Sequence, residues 1–312
     1  MCRVSDLSKF VLSNKNKQQS DMDRKDFLKK GLLGTGMFVA SASLASAMKN
    51  EIDEIEPLEP IGYNHLPNTE SKIKENSVIH RADSRGKADH GWLLSNHTFS
   101  FANYYNPERM HFGVLRVLND DKVEAGRGFG THPHDNMEII SIPLEGDLEH
   151  KDSMGNTAVI RSGDIQVMSA GTGIMHSEFN KNSDKLVKFL QIWIYPKKRN
   201  VTPRYDQITL DKTKGHNEFQ QILSPNADDE GVWIHQDAWF HIGTFDQNKE
   251  TLYQIRKKGN GVYAFILKGS AEIGGETLEE RDGFGVWDIR DINIKTLKED
   301  TEILLMEVPM TL

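Results

Sequence analysis

From about residue 77 onward the apolar positions fall into short runs of six to eight residues, such as Phe112 to Leu118, Met137 to Ile142, Val187 to Ile194 and Val262 to Leu267. Each run has strand length and is rich in β-branched or aromatic side chains, which suit a pleated, half-buried surface. Turn-forming groups separate them: Asn119 to Asp121, Glu145 to Asp147, Met154 to Asn156, Ser162 to Asp164, Lys258 to Asn260 and Gly274–Gly275. Many short strands at this spacing predict an all-β fold, a sandwich or barrel. No long helical period interrupts them, and the best short helix candidate is Pro203 to Tyr205 with its neighbours.

The pattern repeats once. A strand ending in Leu144-Glu-Gly146 has a counterpart ending in Leu267-Lys-Gly269, and each leads through a second strand to a glycine turn, at Gly163 and at Gly283. Short apolar strands follow both turns, Ile165 to Met168 and Phe284 to Trp287. Such an echo is expected of two tandem barrels of one design. The basic, proline-bounded segment Pro196 to Pro203 marks the boundary, giving domains 77–196 and 197–312.

Ahead of the barrels the pattern changes. The 17 residues from Gly31 to Ala47 carry no charge, follow the basic cluster Arg24, Lys25, Lys29 and Lys30, and end in Ala45-Ser-Ala47. This is the layout of an export signal at residues 1–47 cleaved after Ala47, with a periplasmic destination; a cytoplasmic protein with an N-terminal arm is the alternative. The stretch is too weakly apolar for a stable membrane anchor. Asp23-Arg-Lys-Asp-Phe-Leu-Lys29 resembles the twin-arginine motif, with Lys25 where the second arginine usually stands. Residues 48–76 are polar, acidic and proline-punctuated, as in a linker.

Charge and cysteine content then narrow the chemistry. The net charge is -8, and residues 48–312 keep 30 of the 38 basic but 42 of the 46 acidic side chains, a net of -12. That balance argues against nucleic-acid binding. With Cys2 the sole cysteine, disulfide frameworks, thiolate metal sites and cysteine nucleophiles are excluded, so a metal would rest on histidine and carboxylate.

Most of the 12 histidines stand alone on a strand or turn, His80, His97, His150, His235 and His241 among them, where ordinary packing is the expectation. Two pairs differ. His132-Pro-His134 and His176-Ser-Glu178 each place two ligand-type side chains at i and i+2, on one face of a strand. Pro133 puts the first pair at an edge or strand start, and Gly171 and Gly173 allow a tight turn before the second. Folding two strands about 40 residues apart onto each other would gather three imidazoles and one carboxylate around one ion. Glu138, four residues after His134, would share their face on a regular strand, as a neighbour of the ligands or a further ligand.

Gly126-x5-His132-x-His134-x3-Glu138 resembles the first cupin motif, with its following glycine one place late at Gly146. Thr131-His-Pro-His-Asp135, Leu144-Glu-Gly-Asp-Leu-Glu-His150 and Ala170-Gly-Thr-Gly-Ile-Met-His-Ser-Glu178 resemble the pirin family of bicupins. Arg81-Ala-Asp-Ser-Arg-Gly86 and His97-Thr-Phe-Ser-Phe-Ala-Asn-Tyr-Tyr105 share that likeness, which runs from Val78 to Val308, while Gln191-Ile-Trp-Ile194 and Thr202-Pro-Arg-Tyr205 fit the bacterial branch that includes quercetin-dioxygenase-like pirins. The resemblance implies two cupin barrels face to face. Only the first would carry metal, held by His132, His134, His176 and Glu178; past Pro196 there is no second His-x-His.

It further implies a dioxygenase that opens the ring of a flavonol-like aromatic enol, with a small aromatic substrate and dioxygen as partners. Three nitrogens and one oxygen suit Fe(II) first, and also Mn, Ni, Co, Cu or Zn. Glu178, with Glu138 nearby, is the expected proton acceptor, and Phe129, Met137, Met168 and Met175 would wall the substrate or simply fill the core. The alternative within the family is a metal-binding regulatory or binding protein without turnover. In either case the expected state is a monomer.

Overall fold

The computed structural model describes residues 73–211 and 213–312. The expected export signal and residues 48–72 of the expected linker lie outside the described residues. The end of that linker already belongs to the folded body, because Ile73 is buried among Phe284, Ile292 and Ile294.

Twenty-two strands make up more than half of the described structure. The first eleven are β1 (Ser77–His80), β2 (Gly86–Asp89), β3 (Leu93–His97), β4 (Leu115–Val123), β5 (Gly128–His134), β6 (Glu138–Glu145), β7 (Asp147–Asp152), β8 (Thr157–Arg161), β9 (Asp164–Ser169), β10 (Ile174–Asn180) and β11 (Val187–Ile194). The second eleven are β12 (Arg204–Thr209), β13 (Gln220–Ser224), β14 (Val232–Trp233), β15 (Trp239–Phe245), β16 (Glu250–Gln254), β17 (Asn260–Lys268), β18 (Ser270–Ile273), β19 (Glu276–Glu279), β20 (Gly283–Trp287), β21 (Asp291–Thr296) and β22 (Thr301–Pro309).

They form two barrels of one design. In the first, a seven-stranded sheet of order β12-β9-β6-β11-β4-β3-β2 is completed by the four-stranded sheet β5-β10-β7-β8. In the second, β1-β20-β17-β22-β15-β13-β14 is completed by β16-β21-β18-β19. The all-β, two-barrel expectation holds. The chain path between them adds something the turn signals did not contain. β1 pairs antiparallel with β20 of the second barrel, and β12 pairs with β9 of the first. Each barrel therefore lends an edge strand to the other, and a cut at residue 196 follows the linker but not the sheets.

Period-two alternation divides each large sheet between two cores. On β11, Leu190, Ile192 and Ile194 face the second barrel, where they meet Tyr263, Phe265, Leu304 and Met306. Phe189 faces the first barrel's interior with Leu148 and Ile160, and Gln191 and Trp193 line its cavity. Each fully buried apolar side chain of this kind contributes about 1.5–3 kcal/mol, so the layer between the barrels is a single shared core.

Two local expectations fail. Pro203 to Tyr205 is extended, not helical: Arg204 to Thr209 complete the ladder on β9, whose unpaired edge would otherwise be left open. Asn119 to Asp121, a turn by composition, lie in the middle of β4. Their polarity has partners on both faces, since Asp121 accepts from Ser95 while Asp120 meets Arg85 at 3.4 Å and Arg281 at 3.7 Å between the barrels.

Candidate metal centre

β5 and β10 run antiparallel at the first barrel's small sheet, with His132 opposite His176 and Ile174 opposite His134. The ladder shifts between His176 and Glu178, a local irregularity that re-aims the side chains flanking it. Gly171 and Gly173, both at positive φ, form the turn that delivers β10. A side chain on Gly171 would also strike the Val201 carbonyl. Gly128 is needed for a different reason: a Cβ there would run into the carbonyl oxygen of Glu178.

The three imidazoles of His132, His134 and His176 have ring centroids 4.4–4.9 Å apart. One ligand atom from each lies within 4.8 Å of the others. Glu178 joins through His176, in a second group within the same limit that includes His150. The four expected ligands thus do not form one mutually close set; His176 is common to both groups.

The donor chemistry fits a divalent cation. His132 directs Nδ1 to the Gly130 carbonyl at 2.8 Å, leaving Nε2 free of that bond. Both ring nitrogens of buried His176 lack a hydrogen-bond partner among the described residues, a costly arrangement in a protein interior unless something else binds there. Burial, reinforced by His132, His134 and His150, holds His176 down to about 2. Burial and then His132 lower His134 to about 4, against the pull of Asp135. Both rings are consequently neutral near pH 7, with lone pairs available.

Glu178 is fixed from the large sheet. Its Oε2 accepts from Gln191 Nε2 at 2.7 Å and its Oε1 from Ser141 Oγ at 3.1 Å. His150, opposite Glu178 on β7, bonds Asp152 Oδ2 through Nε2 at 3.1 Å and packs against Tyr205 at 4.8 Å.

A cavity of about 370 Å³ adjoins this centre and is lined by His132, His134 and Glu178 together with aromatic side chains. Trp193 packs edge-on to His134 at 4.9 Å, Phe101 to Trp193 at 5.3 Å, and Trp92 to Phe129 at 5.7 Å. Of the expected wall, Phe129 alone lines this cavity. Met168 is core with Ile139 and Ile174, Met137 packs against that cluster, and Met175 is largely exposed.

Known proteins fit this picture. The Pirin family model matches residues 78–194, and one described as the quercetinase C-terminal cupin domain matches residues 221–308. Quercetin 2,3-dioxygenase of Escherichia coli K12 is 45% identical over 231 residues, 74% of this chain and 98% of that one. The chain belongs to the pirin family. A pirin-like protein of Caulobacter vibrioides is 39% identical over 226 residues, 72% of this chain and 96% of its own length. Among solved structures, the bacterial pirin YhhW of Escherichia coli in complex with nickel(II) superposes with a TM-score of 0.71 at 43% identity, covering 75% of this chain and 99% of that one.

One candidate of this pirin moves out of the site. Glu138 does not face the imidazoles, because β5 and β6 are not one regular strand; Asn136, at φ 45°, breaks them and they enter different sheets. On β6, Ser141 faces Glu178, so Glu138, three residues earlier, faces the other way and accepts from Ser169 Oγ at 2.6 Å. Burial raises it to about 7, while Ser169, Arg204 and the His235 backbone oppose that rise.

Sequence reasoning also passed over His150, whose role shows only when β7 is laid beside β10. In the second barrel β21 presents the apolar Ile292 and Ile294 to the interior instead. Its buried His241 bonds Arg256 at 3.0 Å.

Proposed function

We propose that this pirin is a metal-dependent dioxygenase of the quercetin 2,3-dioxygenase type, opening the ring of a flavonol-like aromatic enol. The observation that carries the reading is the gathering of three imidazoles, with Glu178 reached through the shared His176, beside an aromatic cavity of small-molecule size. His132, His134, His176 and Glu178 would hold the ion, Fe(II) first among divalent metals for this mixed N/O set. The bound ion would supply a Lewis-acidic centre for the enol oxygen and a route for electrons to dioxygen.

The remaining chemistry belongs to the protein. Trp92, Phe129, Phe101 and Trp193 present ring faces and edges that orient a flat substrate and exclude water from it. Glu178 takes up the proton leaving the enol hydroxyl, and the donors Gln191 and Ser141 keep its carboxylate aimed inward. Similarity to proteins named quercetin 2,3-dioxygenase supports this reading.

The test is oxygen uptake and carbon monoxide release by the Fe(II)-loaded protein with quercetin. Uptake abolished in His176→Ala supports the proposal. Uptake no greater than in that variant leaves a metal-binding protein without turnover.

A further inference from the structure

An unbroken polar row crosses the interior face of the first barrel's large sheet. His97 on β3 opposes Asn119 on β4, Asn119 opposes Gln191 on β11, and Gln191 opposes Ser141 on β6. Ser141 in turn opposes Gln166 on β9. All five are buried, which is costly for polar side chains unless they are bonded. Part of the row has a clear role, since Gln191 and Ser141 hold Glu178.

The His97–Asn119 end has none within the fold. His97 Nδ1 and Asn119 Oδ1 are buried and have no hydrogen-bond partner among the described residues. Both residues line the aromatic cavity, as do Ser95 and Asp121 on the neighbouring rung, which bond each other. Phe101 packs edge-on to the His97 ring at 5.1 Å and so sets that ring's orientation.

We propose that His97 and Asn119 form a hydroxyl-recognition subsite that selects neutral, hydroxyl-bearing aromatic ligands; this rests on the dioxygenase reading for the placement of the enol at the other end of the cavity. A phenolic hydroxyl at this end of the cavity can bond the Asn119 side-chain amide and the His97 ring, each of which has an atom without a partner among the described residues. Among the described residues no lysine or arginine lines the cavity to hold a carboxylate there. Unhydroxylated rings would enter the aromatic walls but leave two buried polar atoms unpaired, the situation in which sites discriminate most strongly.

The experiment compares quercetin with 3-hydroxyflavone, which shares its enol and carbonyl but lacks its other hydroxyls. Anaerobic titration of the Ni(II)-loaded full chain, followed by tryptophan fluorescence, gives both affinities without turnover. Wild type is expected to favour quercetin by about tenfold or more, the scale of one well-made buried hydrogen bond. Asn119→Leu and His97→Phe should each reduce that preference to about twofold or less, with 3-hydroxyflavone affinity unchanged.

Equal affinities in wild type overturn the subsite whether or not the variants fold, and so does a preference that survives both substitutions. Selective binding of quercetin that is not consumed when Fe(II)-loaded protein is aerated would overturn the dioxygenase reading and leave the subsite standing.

Discussion

Gln191 Nε2 donates to Glu178 Oε2 across 2.7 Å, from the large sheet of the first barrel to the small one. Both side chains are buried, so the bond is made in a medium of low polarity where it holds the carboxylate's direction firmly. Removing the donor leaves the carboxylate with a single tie to Ser141. Gln191→Leu is expected to weaken Ni(II) or Fe(II) binding by about 10–100-fold, the range for partners that orient metal ligands. Isothermal titration on the metal-free protein checks it; an unchanged affinity contradicts the positioning role.

Asp121 predicts a pH dependence. Burial lifts its carboxyl to about 7, with Ser95 opposing and the neighbouring Asp120 and Glu178 adding to the rise. The folded protein therefore keeps a proton that the unfolded chain, with an ordinary value of 3.8, has already lost over that interval. The penalty for burying the charge is absent below the unfolded value, grows as pH rises, and is complete above about 7. Asp121→Asn removes it. Urea unfolding should show the variant gaining on wild type between pH 5 and pH 8, by about 1 kcal/mol or more. A difference that is constant with pH contradicts the assignment.

The exchanged strands predict how the body unfolds. A fragment ending at residue 196 lacks β12 and exposes the face of Leu190, Ile192 and Ile194 that the second barrel covers. It is expected to be insoluble or to lack a near-ultraviolet dichroism signal. The intact body should unfold in one transition, with fluorescence and dichroism midpoints coinciding. Two separated transitions would show that the barrels are independent.

Export is predicted from residues 1–47 alone. A reporter fused after Ala47 should reach the periplasm and depend on Arg24. Reporter activity confined to the cytoplasm counts against the leader; secretion undisturbed by Arg24→Lys with Lys25→Gln counts against the twin-arginine route.

Where the sequence was informative, the information was local. His132-Pro-His134 and His176-Ser-Glu178 announce themselves because i and i+2 share a face on any strand, and glycine before the second pair signals a turn. Glu138 was misplaced because that rule stops where a strand ends, and the chain turns at Asn136 between β5 and β6. Asn119 to Asp121 read as a turn because composition alone does not distinguish polarity facing water from polarity facing a barrel interior. His150 and Gln191 became visible only through cross-strand register, which pairs them with Glu178 and Ser141 from distant parts of the chain.

The reciprocal loan of β1 and β12 has a mechanical consequence. Two bodies stitched together at both edges cannot hinge apart without breaking ladders. Admission of a ligand to the aromatic cavity would then leave the seam between the barrels closed. The second barrel is then the brace that keeps the first from gaping.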